Sequence, residues 1–109
     1  MRKWGKATRD DSENKIDPEG FLSPIVIQSF CEYMMKHRKT ATGLRDSDNW
    51  QNLFGEDHYA VCMKSLWRHT LDLWLFHRGY KGRDTIEDSL NGILFNASAY
   101  LFKVLKDKI

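Results

Sequence analysis

The chain is poor in cysteine, has no long hydrophobic run and carries almost no charge imbalance, and each scarcity closes off a class of protein. Its two cysteines, Cys31 and Cys62, are too far apart for a CxxC metal pair and fall inside apolar helical patterns, so they read as buried free thiols. The longest strongly apolar run, Leu71 to Phe76, is broken by Asp72 and falls far short of the roughly 20 residues that span a bilayer. No membrane contact is expected. Seventeen Lys and Arg against fifteen Asp and Glu leave a formal charge of +2, too balanced to hold a long nucleic acid by electrostatics. Any polyanionic partner is therefore expected to be small. The opening MRKWGKATRDDSENK begins basic, but the apolar stretch of a secretory leader does not follow, so a cytoplasmic location is the expectation.

Common catalytic signatures are missing as well. There is no GxxxxGK[ST], GxGxxG or HExxH, which argues against P-loop, dinucleotide-binding and zincin readings. The adjacent His-Asp pair of one phosphohydrolase class is absent, since Asp57-His58 has the reverse order. No serine or cysteine stands in a nucleophile motif. An enzyme built from this inventory would use a metal-activated water.

What the sequence does hold is a folded helical chain. A hydrophobic fraction of 41% and an aromatic fraction of 13% exceed what a disordered chain carries, and 109 residues suffice for one core. The pattern predicts an all-α fold: a small helical bundle, with an N-terminal extended arm over residues 1–20 and a single helical domain over 21–109. The arm is polar apart from Trp4 and closes on Pro18, Glu19 and Gly20. Ser23 and Pro24 suit an N-cap and first helical position, which starts a helix at about 24–38. Its apolar face is Val26, Ile27, Phe30, Cys31, Tyr33 and Met34.

Between this helix and the next, KTATGLRDSDNWQNLFG is rich in turn formers yet carries Leu44, Trp50, Leu53 and Phe54, which predicts a long ordered loop. The central helix is expected from about Glu56 to Arg78, stopped by Gly79. A last helix is expected after Gly82, with Asp84 as N-cap and Glu87 completing a capping box, running to Lys106. Met63, Leu66, Trp67, Leu73 and Trp74 form the expected core stripe of the central helix. Ile86, Leu90, Ile93, Leu94, Ala97, Leu101 and Val104 form that of the last.

Charged groups on an otherwise apolar helix are costly unless paired or used, which directs attention to Lys64, Arg68, His69 and Asp72. Arg68 has two readings, a salt bridge to Asp72 one turn away or a phosphate clamp, and the two are compatible. Asp72 and Asp88, on polar stripes of neighbouring helices, are the candidate magnesium ligands, with Glu87 beside them. Glu87 is also explained as a capping residue, and Asp88 by the helix dipole. His37, His69 and His77 are candidates for phosphate contact or proton transfer, or hydrogen-bonded core residues. Asn91 and Asn96 are placed to hydrogen-bond a base or orient neighbours.

The blocks ATRDDSENKIDPEGFLSPIVIQSFCEYMMKHR, LRDSDNWQ, MKSLWRHTLDLWLFHRG and EDSLNGILFNASAYLF occur in an order that resembles a family of small phage and bacterial proteins. That family is named for the N-terminal domain of dATP/dGTP diphosphohydrolase, and the resemblance runs from about Ala7 to Leu105. It implies a phage-type nucleotide pyrophosphohydrolase that splits a purine deoxynucleoside triphosphate into monophosphate and diphosphate. The matching positions are Arg9, Asp10 and Lys15 in the arm, Asp48, Asn49 and Trp50 in the loop, Arg68 and His69 on the central helix, and Asn96 on the last. The same reaction points to the all-helical MazG-type pyrophosphohydrolases. Where those carry ExxE and ExxD, this chain has His69 and Asp72, then Glu87, Asp88 and Asn91.

Taken together, the residues and the resemblance give a magnesium-dependent enzyme. Its catalytic residues would be His69 and Asp72, its metal ligands Asp72, Glu87 and Asp88. Lys15, Asn49, Trp50, Lys64, Arg68 and Asn96 would bind substrate, with Trp50 stacked on the base. The lean set of carboxylates supports a second reading, a noncatalytic phage accessory protein that binds a nucleotide signal or a host protein. Either way the expected partner is a nucleotide or other phosphorylated small molecule, in the host cytoplasm if the chain is phage-encoded. Four tryptophans exceed what a core of this size hides, which predicts a homodimer.

Overall fold

A computed structural model of the chain describes residues 15 to 109, together with the backbone of two short strands in the arm, β1 (Arg2–Trp4) and β2 (Ala7–Arg9), which pair antiparallel. Among the described residues four helices carry the fold: α1 (Pro18–Phe21), α2 (Pro24–Lys36), α3 (His58–His77) and α4 (Ile86–Lys106). The all-α expectation holds.

The details differ where local hydrogen bonding outweighs the broad pattern. The arm was expected to stay non-helical to residue 20, yet the Asp17 carboxylate accepts the Gly20 N–H at 3.1 Å and Pro18 presets the first turn, so α1 forms one turn early. Pro24 opens α2 as expected, although the Ser23 hydroxyl makes no capping bond. The 39–55 segment is ordered but not irregular throughout. β3 (Lys39–Thr40) and β4 (Gly43–Leu44) form a small hairpin whose turn is closed by Thr40 Oγ1 donating to Gly43 O at 2.7 Å. A 3-10 turn follows over Asn49–Asn52. Gly79, at φ +87°, ends α3 in the left-handed conformation the sequence suggested, and the Tyr80 N–H returns to Leu75 O. At the start of α4 the Asp84 and Glu87 capping box is not made. Thr85 is the N-cap instead, its hydroxyl accepting the Asp88 N–H at 3.1 Å, because its extended backbone puts the oxygen beside the free amides of the first turn.

The larger correction concerns the core. α3 and α4 pack as an antiparallel hairpin, but through their small and polar residues: His58, Cys62 and Asp72 on α3, and Ser89, Gly92, Asn96 and Ala99 on α4, are buried. A Cβ at Gly92 would stand 2.6 Å from the His69 ring, so glycine there lets the two helices approach. The wide apolar stripes expected to form the core are largely left outside, with Met63, Trp67, Trp74, Leu90, Leu94 and Leu101 exposed. On α2 only Tyr33 is buried, and Cys31, expected inside, is exposed.

α2 lies against α4, held by Lys36 Nζ to the Asp88 carboxylate at 3.0 Å and by Asn91 Nδ2 donating to Ser29 Oγ at 3.0 Å. Among the described residues no helix is long and apolar enough to cross a membrane.

Candidate functional site

α2, the 39–55 segment, α3 and α4 enclose a cavity of about 650 Å³, within the size range of small-molecule sites. The segment that roofs it is pinned at both ends. At one end Arg38 and Arg45 bracket the hairpin, the Arg45 N–H donating to Arg38 O at 2.8 Å and Arg38 Nε donating to Arg45 O at 2.7 Å. At the other end Trp50 sets its ring edge-on to Phe95 and Phe102, with centroids 5.8 and 5.2 Å away. Leu53, in an unusual backbone conformation at φ +71°, then redirects the chain so that Phe54 stacks on His58.

His58 is the keystone of this arrangement. Its Nδ1 accepts the Phe54 N–H at 3.1 Å, which leaves the proton on Nε2 for Ala99 O at 2.8 Å. One fully buried imidazole therefore joins the loop, α3 and α4. Cys62 lies against it, with Sγ 3.6 Å from Nε2, and burial pushes the thiol pKa above its ordinary value.

The walls of the cavity are aromatic, with Tyr33, Trp50, Phe54 and Phe95 among them. Its polar lining combines His37, Asn49, Ser65, His69 and Asn96 with four charged side chains, Arg38, Arg45, Asp46 and Asp84. None of those four makes an ion pair among the described residues. His37 rests on the Tyr33 ring at 4.4 Å. Asn96 donates to Gly92 O at 2.8 Å within its own helix. His69 differs from the others, because its buried Nδ1 has no hydrogen-bond partner. Burial, reinforced by the Arg83 charge, holds its pKa below the ordinary imidazole value against the opposing pull of Asp72 and Asp84.

The residues singled out from the sequence divide into two groups. Asn49, Trp50, His69 and Asn96 come together in the cavity. Lys15, Lys64, Arg68, Asp72, Glu87 and Asp88 do not line it. Lys15 and Lys64 are exposed, as is Glu87 in the first turn of α4. Arg68 reaches Ser65 Oγ at 2.9 Å and not Asp72. Asp72 is bound to Arg83, through Nε at 3.0 Å and Nη2 at 2.8 Å, and Asp88 to Lys36. The Arg83 hydrogen bonds, with its charge, hold the Asp72 carboxyl below the usual carboxylate range despite burial. With each aspartate committed to a separate cation, the three proposed ligands do not fit a shared magnesium site, and no group of three His, Cys, Asp or Glu side chains suited to a metal occurs among the described residues. Arg9 and Asp10 have side chains outside the described residues.

No family model, curated protein or solved structure matches this chain. Sequence reasoning missed Arg38, Arg45, Phe95 and His58. The signal for the arginines was their symmetric placement about the Thr-Ala-Thr-Gly turn. For Phe95 and His58 there was no local sign, since their roles arise from packing between distant segments.

Proposed function

We propose that this cavity binds a nucleotide or a closely related phosphorylated small molecule. The observation that carries the reading is the pairing of an aromatic-walled cavity with two guanidinium groups, Arg38 and Arg45, that have no carboxylate partner among the described residues. A planar base finds stacking surfaces in Trp50, Phe54 and Phe95, and guanidinium forks match phosphate oxygens in charge and shape. Asp46 and Asp84 offer acceptors for the amino group of a base while balancing the arginines, which favours a ligand with few phosphates over a highly charged one.

Thermal melting with each deoxynucleoside mono-, di- and triphosphate tests the reading, because a ligand bound only by the folded state raises the melting temperature. The expected result is a shift with at least one purine nucleotide that is lost in Arg38→Gln and Arg45→Gln. Absence of any shift across the set at millimolar ligand would reject it.

A second reading, hydrolysis of the bound nucleotide, is favoured by one feature. His69 lines the cavity, its pKa is held below the ordinary imidazole value, and its buried Nδ1 has no hydrogen-bond partner, which makes it the candidate general base. Incubation with each deoxynucleoside triphosphate and magnesium, followed by separation of products, tests it. If binding is seen but no diphosphate is released, the protein is a binder only.

A further inference from the structure

We infer that the side of the α3–α4 hairpin turned away from α2 is a homodimer interface, on which a second copy of this chain lays the same face to close a four-helix bundle.

Helical phase separates the two sides of the hairpin. On α3, Val61, Ser65 and His69 line the cavity beneath α2, and on α4 Asp88, Asn91, Phe95 and Ser98 turn the same way. At 3.6 residues per turn, the opposite side of α3 carries Met63, Leu66, Thr70, Leu73 and Trp74. The corresponding side of α4 carries Ile86, Leu90, Ile93, Ala97 and Val104. Trp67 and Leu101 mark the margins. Neither row contains a Lys, Arg, Asp or Glu side chain, and Thr70 Oγ1 is satisfied within its own helix by Leu66 O at 2.7 Å, while Tyr59, His77 and Tyr100 continue the rows toward the ends of the helices.

The exposed area is what a dimer requires. Trp67 is 66% exposed and Trp74 58%, and with about 250 Å² for a tryptophan these two alone leave roughly 300 Å² of ring in water. Met63, Ile86, Leu90 and Leu101, each between 40% and 55% exposed, bring the apolar total to the order of 600 Å². That is as large as the largest patch of an ordinary monomer. It also matches the apolar share of a standard interface, which buries about 800 Å² on each partner.

The geometry selects a second copy as the occupant. α3 and α4 have nearly equal lengths, 20 and 21 residues, so the hairpin presents a flat two-helix layer that needs another of the same length. A two-fold axis supplies it, with each row meeting its symmetry mate in a self-complementary contact. Between Trp67 and Trp74 lies a hollow lined also by Thr70, Leu71 and, at its rim, Arg68, a receptor for a side chain from the partner.

Sedimentation equilibrium of the full chain between 1 and 100 µM reads the mass directly. The expected result is twice the 12.9 kDa of one chain, falling to one for the double variant Trp67→Lys, Leu90→Lys with its helical circular dichroism retained. Tryptophan emission of the unaltered chain, followed on dilution, keeps the question decidable if the variant does not fold. Emission should move to longer wavelength as the dimer parts. A monomer throughout the range, whose emission does not change, overturns the inference and assigns the face to residues 1–14 or to a different partner. A variant that stays dimeric overturns it by placing the contact elsewhere, and a monomer that sediments with lipid vesicles overturns it in favour of a membrane surface.

Discussion

Asp72 and Arg83 form a two-pronged ion pair that closes the end of the α3–α4 hairpin. The carboxylate is 2% exposed and takes Nε and Nη2 of Arg83 at 3.0 and 2.8 Å, with the Arg83 backbone N–H at 3.3 Å. The link between the helices is thereby tied to α3. Arg83→Gln should lower the melting temperature clearly, whereas Arg68→Gln should leave it at the parent value, since Arg68 is exposed and hydrogen-bonds Ser65, not Asp72. Replacing both partners, Asp72→Leu with Arg83→Met, should restore much of the loss, because the harm of the single change is the unpaired carboxylate. An Arg68→Gln protein that melts as low as Arg83→Gln would contradict this pairing.

Two groups should shape the acid response. His69 has a folded-state pKa below its ordinary 6.5, so the unfolded chain takes up the proton first. Its contribution is complete above pH 6.5, declines as pH falls through that value and stops declining below the folded pKa. Asp72, with a folded pKa below 3.8, contributes fully above that value and loses its contribution as pH falls through the folded pKa. Melting curves from pH 8 to 3 should show both declines, and His69→Gln should remove the first alone. A parent and variant with parallel profiles between pH 7 and 5 would refute the assignment to His69.

The close approach at Gly92 makes a sharp test of the helix pairing. Gly92→Ala places a methyl 2.6 Å from the His69 ring and should destabilise by about 1 to 3 kcal/mol, the usual range for overpacking. In a His69→Ala background the same change should cost far less. A double-mutant cycle in chemical denaturation measures the difference, and strict additivity would mean that the two residues do not meet.

Trp50 anchors the loop over the cavity through Phe95 and Phe102. Trp50→Ala should cost about 2 kcal/mol, less than the 3 to 5 of a fully buried tryptophan because the ring is half-buried. Hydrogen exchange should rise in residues 39–55 and much less in α3. Exchange that rises equally across the chain would show that the loop is not a separate unit.

Much of the local structure was legible from the sequence because its causes lie within a few residues. Pro24 and Gly79 mark helix ends by fixed backbone preferences, and the periodicity of α3 and α4 gave both helices to within two residues at either end. Asp84 and Thr85 are both good caps in the sequence, and only the backbone angle chooses Thr85. The candidate site was half legible. Trp50, His69, Asn49 and Asn96 stood out as unusual residues in their segments, while Arg38 and Arg45 looked like ordinary surface charge. Asp72 and Asp88 looked available because their partners, Arg83 and Lys36, are separated from them by 11 and 52 residues.

By itself the sequence determined that the chain is helical, where its three long helices begin and end to within about two residues, and that they are apolar on more than one side. Which side packs was decided only in three dimensions. Periodicity counts apolar residues and so points to the widest stripe, but two helices meet where their backbones come nearest, and here that is along Ser89, Gly92, Asn96 and Ala99. A small-residue seam admits His58, His69 and Asp72 between the helices and turns the leucines and tryptophans outward. The cavity and the bare face of the hairpin both follow from that choice.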